Sequence, residues 1–308
     1  MSIEEYPLTL MAVHAHPDDE TTSGGASLVK YRAQGVRTVV VTCTDGAEGE
    51  MHDPDLDPEW ALPRMAEIRR GEMERAARIM NLYAHEWLGY RDSGMAGTPA
   101  NEHPDSFNKA DLKEATGRLI KLVRKYRPQV MFSYNSFGGY GHPDHINAHK
   151  IASMAFDYAN DLDRYPAEEF GPGWQPIKLY TTAFSRKAWQ QVWRMMREAG
   201  EAWPFQPPKP APEEGGDDVP ETSEPEKELP PEFGTPDTEL TTFIDVADYW
   251  QVSYEALITH RTQINPESPF WKMRKRFGDV LVSTDSFILF KSHIPAQRPE
   301  YDLFAGIL

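Results

Sequence analysis

The chain has 308 residues and a formal net charge of -16, from 32 Lys and Arg against 48 Asp and Glu. Such a surplus of negative charge repels nucleic-acid backbones and anionic membrane surfaces, so we expect neither nucleic acid nor membrane insertion. Cys43 is the single cysteine, which excludes an intramolecular disulfide, and no apolar run is long enough to span a bilayer. A cytoplasmic location is therefore expected, while an oligomeric state is left open.

Strand-like and helix-like segments alternate through the first two thirds of the chain. This alternation predicts an α/β fold, a Rossmann-like three-layer sandwich with a mostly parallel sheet. Strands are predicted at Leu8–His14, Thr38–Thr44, Glu86–Leu88, Gln129–Ser133 and Lys178–Ala183. Apolar spacing and flanking Pro or Gly predict helices at Thr22–Gln34, Pro63–Met80, Asp111–Tyr126, His142–Tyr158 and near Ala188–Ala199.

The segment 201–239 interrupts this pattern. It holds twelve acidic residues against two lysines, and ten of the 26 prolines. Such a composition buries little apolar surface, so we interpret the segment as an acidic, Pro-rich flexible insertion. Residues 1–200 would form the main α/β domain, and residues 240–308 would complete it as a small α+β portion.

That C-terminal portion carries three predicted elements. They are a strand at Thr241–Val246, a helix at about Asp248–Gln263 and a strand at Ser286–Phe290.

Two loops carry most of the side chains suited to chemistry. His16 and Asp19 follow the first predicted strand, and His145 follows the fourth. In a doubly wound sheet such loops converge beyond the carboxyl ends of the strands. Two imidazoles and one carboxylate with an open position are typical of a hydrolytic zinc site. We therefore predict a metal site at His16, Asp19 and His145, with zinc as the metal and ferrous iron as the alternative.

Residues beside these ligands could perform the chemistry of hydrolysis. Asp18 diverges from Asp19 on a non-helical backbone and could act as the general base toward water. Tyr140 and His142 could stabilise the oxyanion and protonate the departing amine. Asp144 could hydrogen-bond one ring nitrogen of His142 and fix its tautomer.

Two further histidines compete with this ligand set. His149 lies one helical turn after His145, and His14 ends the first predicted strand. We interpret both as core residues or supports for the ligands. A single His-Pro-Asp sequence is also a common turn and helix start; two copies with further polar residues, each after a strand, favour the metal site.

At these residues the sequence resembles the LmbE-like, PIG-L-type N-acetylglucosaminyl de-N-acetylases. The resemblance is carried by Ala15-His16-Pro17-Asp18-Asp19-Glu20 and His142-Pro143-Asp144-His145. It implies a Rossmann-like fold, zinc on His16, Asp19 and His145, Asp18 as base, and assistance from Tyr140 and His142. It also implies that Arg69 and Asp92 contact sugar or inositol hydroxyls. From the sequence alone, an arginine such as Arg69 on a helix with many charges is more often a solvated or salt-bridged residue of the helix face.

Further segments resemble the two mycothiol-pathway branches, the deacetylase and the S-conjugate amidase. These are Ala66-Glu67-Ile68-Arg69-Arg70, Leu88-Gly89-Tyr90-Arg91-Asp92-Ser93-Gly94-Met95 and Asp302-Leu303-Phe304-Ala305-Gly306-Ile307. Ser23 stands where the amidase branch has a lysine, so it favours the deacetylase and a substrate-binding role. The C-terminal ending favours the amidase, and the two indications conflict.

The leading hypothesis is a metal-dependent amidohydrolase that removes the N-acetyl group from an N-acetylglucosaminyl conjugate, such as N-acetylglucosaminyl-inositol. Its expected partner is a small amino-sugar conjugate. One alternative is an amidase of mycothiol-like thiol S-conjugates. Another is a non-catalytic carbohydrate-binding or regulatory protein that keeps the fold; the presence of base, ligands and oxyanion donors together disfavours it. A redox iron protein also uses two His and a carboxylate, but the adjacent Asp18 favours hydrolysis.

Overall fold

A computed structural model describes residues 7–200 and 234–307. One seven-stranded mixed sheet runs through both ranges in the order β3-β2-β1-β4-β5-β7-β6. The strands are β1 Thr9–His14, β2 Arg37–Thr44, β3 Ala84–Tyr90, β4 Val130–Ser133, β5 Lys178–Ala183, β6 Thr242–Asp245 and β7 Thr284–Ser292. The first five are parallel, and β7 is antiparallel to both β5 and β6. The predicted α/β fold with a mostly parallel sheet is confirmed.

Helices connect and cover these strands. They are α1 Asp19–Thr22, α2 Gly25–Ala33, α3 Pro58–Ala61, α4 Met65–Ile79, α5 Leu112–Tyr126, α6 Pro143–Tyr158, α7 Ala167–Phe170, α8 Arg186–Glu198, α9 Trp250–Leu257, α10 Pro269–Arg276 and α11 Gly278–Leu281. Short 3-10 turns lie at Leu62–Arg64, Pro99–Glu102 and Phe107–Lys109. Among the described residues, no helix is long and apolar enough to cross a bilayer.

The strand order places the functional loops side by side. β1 lies in the middle of the parallel strands, between β2 and β4. After β1, the chain adds β2 and then β3 on one side of β1, and it then crosses back to add β4 on the other side. The connections at the carboxyl ends of β1 and β4 therefore diverge and leave a crevice. The loops that carry His16 and His145 lie at this point.

The parallel strands are buried on both faces, because helices cover the sheet on each side. One core cluster includes Met11, Val39 and Phe156, and the other includes Leu10, Val40 and Phe287. The alternating residues of β1 and β2 thus enter opposite cores, which explains why these strands are continuous apolar runs rather than alternating patterns. Cys43 lies fully buried in the first core.

The helix predicted at Thr22–Gln34 is divided in the structure. α1 ends at Thr22, and α2 begins at Gly25 after a break at Gly24, whose φ is +83°. A β-carbon at Gly24 would lie 3.0 Å from the ring of Phe132, so glycine satisfies both the backbone angle and the space. The break confines α1 to a short turn at the end of residues 15–20, which form the motif loop.

The C-terminal portion joins the same sheet through β6 and β7. Its helix was predicted to reach Gln263, but α9 ends at Leu257. Residues 258–263 instead form turns, because their backbone and side-chain groups bond to distant segments, including Glu72 and Glu50. Most of the predicted acidic insertion lies outside the described residues, and the three-part division of the chain stays a prediction.

Candidate metal centre

The three predicted ligands come together at the crevice between β1 and β4. His16 and Asp19 lie directly after β1, and His145 lies in the first turn of α6. The distance between His16 Nδ1 and His145 Nε2 is 3.3 Å. Asp19 Oδ2 lies 3.5 Å from His16 Nδ1 and 3.6 Å from His145 Nε2. Three donor atoms therefore form a nearly equilateral triangle, and all three residues are buried.

This triangle fits a small divalent cation. Bonds of about 2.0–2.2 Å to a tetrahedral zinc ion place neighbouring ligand atoms about 3.3–3.6 Å apart. The observed separations are those of one face of such a tetrahedron. The donor set of two imidazoles and one carboxylate also suits zinc and ferrous iron.

The opposite side of the His16 ring faces two carboxylates. Its Nε2 lies 3.3 Å from Asp144 and 3.4 Å from Asp92. A carboxylate on the outer nitrogen of a histidine is a common support for a metal ligand, since it fixes the tautomer and orients the ring. The inner nitrogen, Nδ1, is then left free to bind an ion.

Two other groups of buried side chains could also hold an ion. Their donor atoms lie within 4.8 Å of one another, and the groups are His16, His142 and His145, and His16, Asp92, His142 and Asp144. We favour Asp19 over these alternatives as the third ligand. Its Oδ2 lies 3.5 and 3.6 Å from the facing nitrogens of His16 and His145, whereas Asp92 and Asp144 approach the other ring nitrogen of His16, Nε2.

The electrostatics of the cluster favour a positive charge at its centre. Burial alone would lower the pKa of His16, but Asp92, Asp144 and Asp19 raise it well above its usual range. Burial lowers the pKa of His145 to about 4, so this ring is neutral and offers a lone pair. Burial would raise the pKa of Asp19, but His145 and His16 hold it well below its usual range. A positive charge is therefore favoured at His16, and a cation bound there would replace the proton on Nδ1, while Asp19 and His145 are already deprotonated.

Asp18 lies beside the triangle in an unusual conformation. Its φ is +107°, a left-handed angle that L-residues rarely adopt. Glu20 accepts a hydrogen bond from its backbone N–H, and Arg69 lies 3.3 Å from its carboxylate. Burial raises the pKa of Asp18 to about 7, although Arg69 opposes this shift. A carboxyl group with a near-neutral pKa can both accept a proton and return it.

The second functional loop is more open. Tyr140 is 59% exposed, and its hydroxyl oxygen lies 3.5 Å from His145 Nε2. Burial of the phenol, followed by the charge of Asp19, raises its pKa, so Tyr140 remains a hydrogen-bond donor. Gly139 and Gly141 have φ of +78° and +91°, which lets the backbone turn sharply around this tyrosine.

His142 forms the N-cap of α6. Its Nδ1 accepts a hydrogen bond from the backbone N–H of Asp144 at 3.2 Å. The neutral ring therefore carries its proton on Nε2. Burial and the charge of His16 lower the pKa of His142, which favours this neutral, donating form.

Asp144 has a different partner from the one expected. Its side chain was predicted to orient His142, but only its backbone N–H does so. Its carboxylate accepts hydrogen bonds from the backbone N–H and hydroxyl of Ser93 and lies against His16. The reason is geometric: at the start of α6, the carboxylate of Asp144 is directed to Ser93 and to Nε2 of His16.

The predicted substrate-binding residues occupy different places. Arg69, from α4, is 3% exposed, and its Nη1 and Nη2 donate to the carbonyls of Gly46 and Pro17. Asp92 lies after β3, next to His16, and accepts the backbone N–H of Gly94 at 2.8 Å. Ser23 is separate from this cluster, and it lines a pocket of about 260 Å³ that includes none of the three ligands. The alternative interpretation of Arg69 was a solvated or salt-bridged residue of a helix face: solvation is wrong, because the side chain is buried, but Arg69 does form an ion pair, with Asp18.

Two residues that the sequence analysis missed support the ligands. Tyr134 stacks on His145 with ring centroids 4.1 Å apart, and its hydroxyl accepts the backbone N–H of Ala15. Ser93 holds the carboxylate of Asp144. Tyr134 directly follows β4, and Ser93 lies three residues after β3; this position beyond the carboxyl ends of the strands is the signal that could have found them.

The competing histidines lie beside the centre. His14 makes edge contacts with Phe132 and Tyr134, and His149 Nδ1 lies 2.8 Å from the carbonyl of Tyr134. Both pack around Tyr134, which itself covers His145.

Known proteins resemble this chain in sequence and in fold. Residues 11–156 match the sequence model of the PIG-L family, described as GlcNAc-PI de-N-acetylase. A mycothiol S-conjugate amidase of Streptomyces coelicolor is 37% identical over 304 residues, which cover 97% of each chain. A 1D-myo-inositol 2-acetamido-2-deoxy-alpha-D-glucopyranoside deacetylase of Acidothermus cellulolyticus is also 37% identical, over 97% of this chain and 95% of that protein.

Among solved structures, an N,N'-diacetylchitobiose deacetylase from Pyrococcus horikoshii aligns with a TM-score of 0.59 and 18% identity. The alignment covers 92% of this chain and 83% of that one, and at this identity it supports the fold alone. The two relatives at equal identity carry different names, so overall similarity does not separate deacetylase from amidase. The chain belongs to the PIG-L, LmbE-like de-N-acetylase family and is a hydrolase of its deacetylase/amidase type.

Proposed function

We propose that this protein removes the N-acetyl group from an N-acetylglucosaminyl conjugate, such as N-acetylglucosaminyl-inositol, and releases acetate and a free amine. The observation that carries the proposal is the triangle of His16, Asp19 and His145 with Asp18 beside it. The name of the Acidothermus relative supports this substrate class. An expected cytoplasmic location and a small-molecule partner belong to the same proposal.

In this proposal, zinc or ferrous iron held by His16, Asp19 and His145 would supply a Lewis acid for water and for the amide carbonyl. Asp18 accepts the proton of the attacking water, which its near-neutral pKa permits. Tyr140 donates a hydrogen bond to the developing oxyanion, because its hydroxyl lies at the edge of the triangle.

The proton for the departing amine comes from Asp18 in this scheme. Its carboxyl group holds the proton taken from water and has a pKa of about 7, so it can act next as an acid. His142 has a lowered pKa and is neutral, which makes its Nε2–H a hydrogen-bond donor rather than a strong acid. We therefore assign His142 to the stabilisation of charge on oxygen, with Tyr140.

The test is an amine-release assay over a panel of N-acetylglucosaminyl conjugates, with zinc, ferrous iron or a chelator added. We expect acetate and amine in equal amounts with either metal and no turnover with the chelator. Metal binding without amine release from any conjugate would contradict the proposal and support a non-catalytic carbohydrate-binding role.

The pocket at Ser23 supports a second candidate, an amidase of thiol S-conjugates. It is lined by aromatic side chains of the C-terminal half, among them Trp189, Phe270 and Phe287, together with Arg274. An acetyl group is too small to need such a volume, whereas an apolar S-substituent could fill it. The amidase from Streptomyces coelicolor, at 37% identity, supports the same candidate.

Product analysis separates the two candidates. A mycothiol S-conjugate with an aromatic S-substituent would be offered in competition with N-acetylglucosaminyl-inositol. Faster release of acetate supports the deacetylase, and faster release of S-conjugated N-acetylcysteine supports the amidase. Replacing Phe270 with Ala should weaken only the second reaction, because the pocket contains none of the three ligands.

A further inference from the structure

The backbone at Asp18 is held in a conformation that it would not adopt alone. A φ of +107° brings the β-carbon of an L-residue into steric conflict with its own backbone. Such strain persists only where the surrounding structure determines it, and it is concentrated at functional sites. Neighbouring groups must therefore hold this turn in place.

Glu20 is the first of these groups. Its Oε2 accepts the backbone N–H of Asp18 at 2.8 Å, and its side chain is fully buried. A buried carboxylate is stable only when it is paired. Its Oε1 is paired with His260, whose Nε2 lies 2.8 Å away, and the side chain of His260 is also 0% exposed.

The ring of His260 is held by its contact with Glu20. Its Nε2 must donate to Glu20, because an ionised carboxylate only accepts. Within residues 7–200 and 234–307, the other ring nitrogen has no hydrogen-bond partner. Glu20 therefore sets the orientation of this ring, without a second hydrogen bond from the described residues.

His260 itself stands on a fixed support. It begins a turn, residues 260–263, that follows the early end of α9. Thr262 donates to Glu72 of α4 through its backbone N–H at 2.8 Å and its hydroxyl at 2.7 Å. Its carbonyl accepts the backbone N–H of His52 at 2.8 Å. This turn is therefore anchored to α4 and to the loop after β2, independently of Glu20.

On its other side, Asp18 faces Arg69. The guanidinium group is fixed by the carbonyls of Gly46 and Pro17 and lies 3.3 Å from the Asp18 carboxylate. The side chain of Asp18 is thus directed from one side by Arg69, and its backbone is directed from the other by Glu20 and His260.

We propose that His260 is a positioning residue for the reaction, acting through Glu20 to hold Asp18 in its left-handed turn. The inference rests on the proposed function, in which Asp18 is the base. Without His260, Glu20 loses its partner and leaves the Asp18 N–H. The turn then relaxes to an ordinary φ, and the carboxylate moves away from the attacking water. Neither binding of substrate nor the three ligand atoms requires His260.

The test compares His260→Ala with His260→Gln. The amide nitrogen of glutamine can donate to Glu20 from nearly the position of Nε2, so it should restore much of the activity. A displacement of a base by about 1 Å can cost about 100-fold in rate. We expect His260→Ala to lower kcat by about that factor with KM and zinc stoichiometry unchanged, and His260→Gln to recover most of it.

Thr262→Val is the matched control. It removes the hydroxyl bond to Glu72 but keeps both backbone bonds of Thr262, to Glu72 and to His52, so the turn under His260 stays anchored. It should lower the melting temperature and leave kcat unchanged. Equal losses of kcat in Thr262→Val and His260→Ala would overturn the proposal, since both would then reflect loss of stability alone. An unchanged kcat in His260→Ala would overturn it as well.

A structural readout keeps this inference separate from the proposed function. In a crystal structure of metal-free His260→Ala, we expect Asp18 to leave positive φ and Glu20 to leave its N–H. An Asp18 turn that stays as in the wild type would refute positioning by His260, whatever the enzyme's activity. Failure of the wild type to release any amine would instead refute the proposed function.

Discussion

The two loops that form the candidate metal centre are built differently. In the loop after β1, His16, Asp19 and Glu20 are buried and bonded to groups from several distant segments. In the loop after β4, Phe137 and Tyr140 are 62% and 59% exposed, and the backbone turns at glycines. The first loop is organised before any substrate arrives, whereas the second presents side chains to whatever enters. In the proposed function, the buried loop fixes the chemistry and the exposed loop meets the substrate.

The largest expected effect comes from the buried loop. Asp18→Ala should lower kcat by about 10²–10⁴-fold, the usual contribution of a general base. Zinc content, measured by elemental analysis, should be unchanged, because Asp18 contributes no atom to the triangle. Near-normal acetate release from this variant would remove Asp18 from the mechanism.

Removing the metal tests whether a bound ion links the two loops. A ligand present at about a thousandfold above its dissociation constant stabilises a fold by about 4 kcal/mol. Since the ion would tie His145 to His16 and Asp19, chelator should lower the melting temperature by several degrees, as measured by calorimetry. Added zinc should reverse the change. His145→Ala should show no response to either reagent, and a full response in this variant would contradict the assignment.

Tyr140→Phe tests the open loop by deleting one hydroxyl group. Loss of an oxyanion donor typically costs about 10²-fold in kcat, and we expect an effect of that order or somewhat less at this exposed position. Thermal stability should change little, because the Tyr140 side chain lies on an exposed loop and the change deletes a single oxygen atom. If kcat is retained, His142 must be the main donor to the oxyanion.

The smallest effects are expected when one glycine from each loop region is replaced with alanine and the two losses of stability are compared. Gly24 and Gly139 have similar φ of +83° and +78°, so alanine strains both backbones alike. A new β-carbon would lie 3.0 Å from Phe132 at Gly24 but meet nothing within 4 Å at Gly139. Urea denaturation should show losses of about 2–3 kcal/mol for Gly24→Ala and about 1 kcal/mol for Gly139→Ala. Equal losses would mean that the two regions are packed alike.

Much of the fold and of the centre could be predicted from local pattern. β-branched runs indicated the parallel strands, and polar side chains in the connections that follow two of these strands predicted where His16 and His145 would meet. These inferences succeed because each depends on a short segment and on a general rule for parallel sheets.

The predictions that failed depended on contacts between distant segments. Helical spacing continues past Leu257, but the pairing of Glu72 with Thr262 outweighs helix propensity there. The partner of the Asp144 carboxylate followed from how the start of α6 directs its side chain, which no spacing rule describes. His260 carried no sequence signal, because its partner Glu20 lies 240 residues away.

That separation has a consequence for biosynthesis. A growing chain has released all three candidate ligands once residue 145 leaves the ribosome, long before His260 is made. Until then the carboxylate of Glu20 lacks its imidazole partner, so burying the turn around Asp18 is unfavourable. The last third of the chain therefore completes the turn around Asp18, and if Asp18 is the base, as proposed, a nascent fragment that already folds its parallel strands should remain inactive.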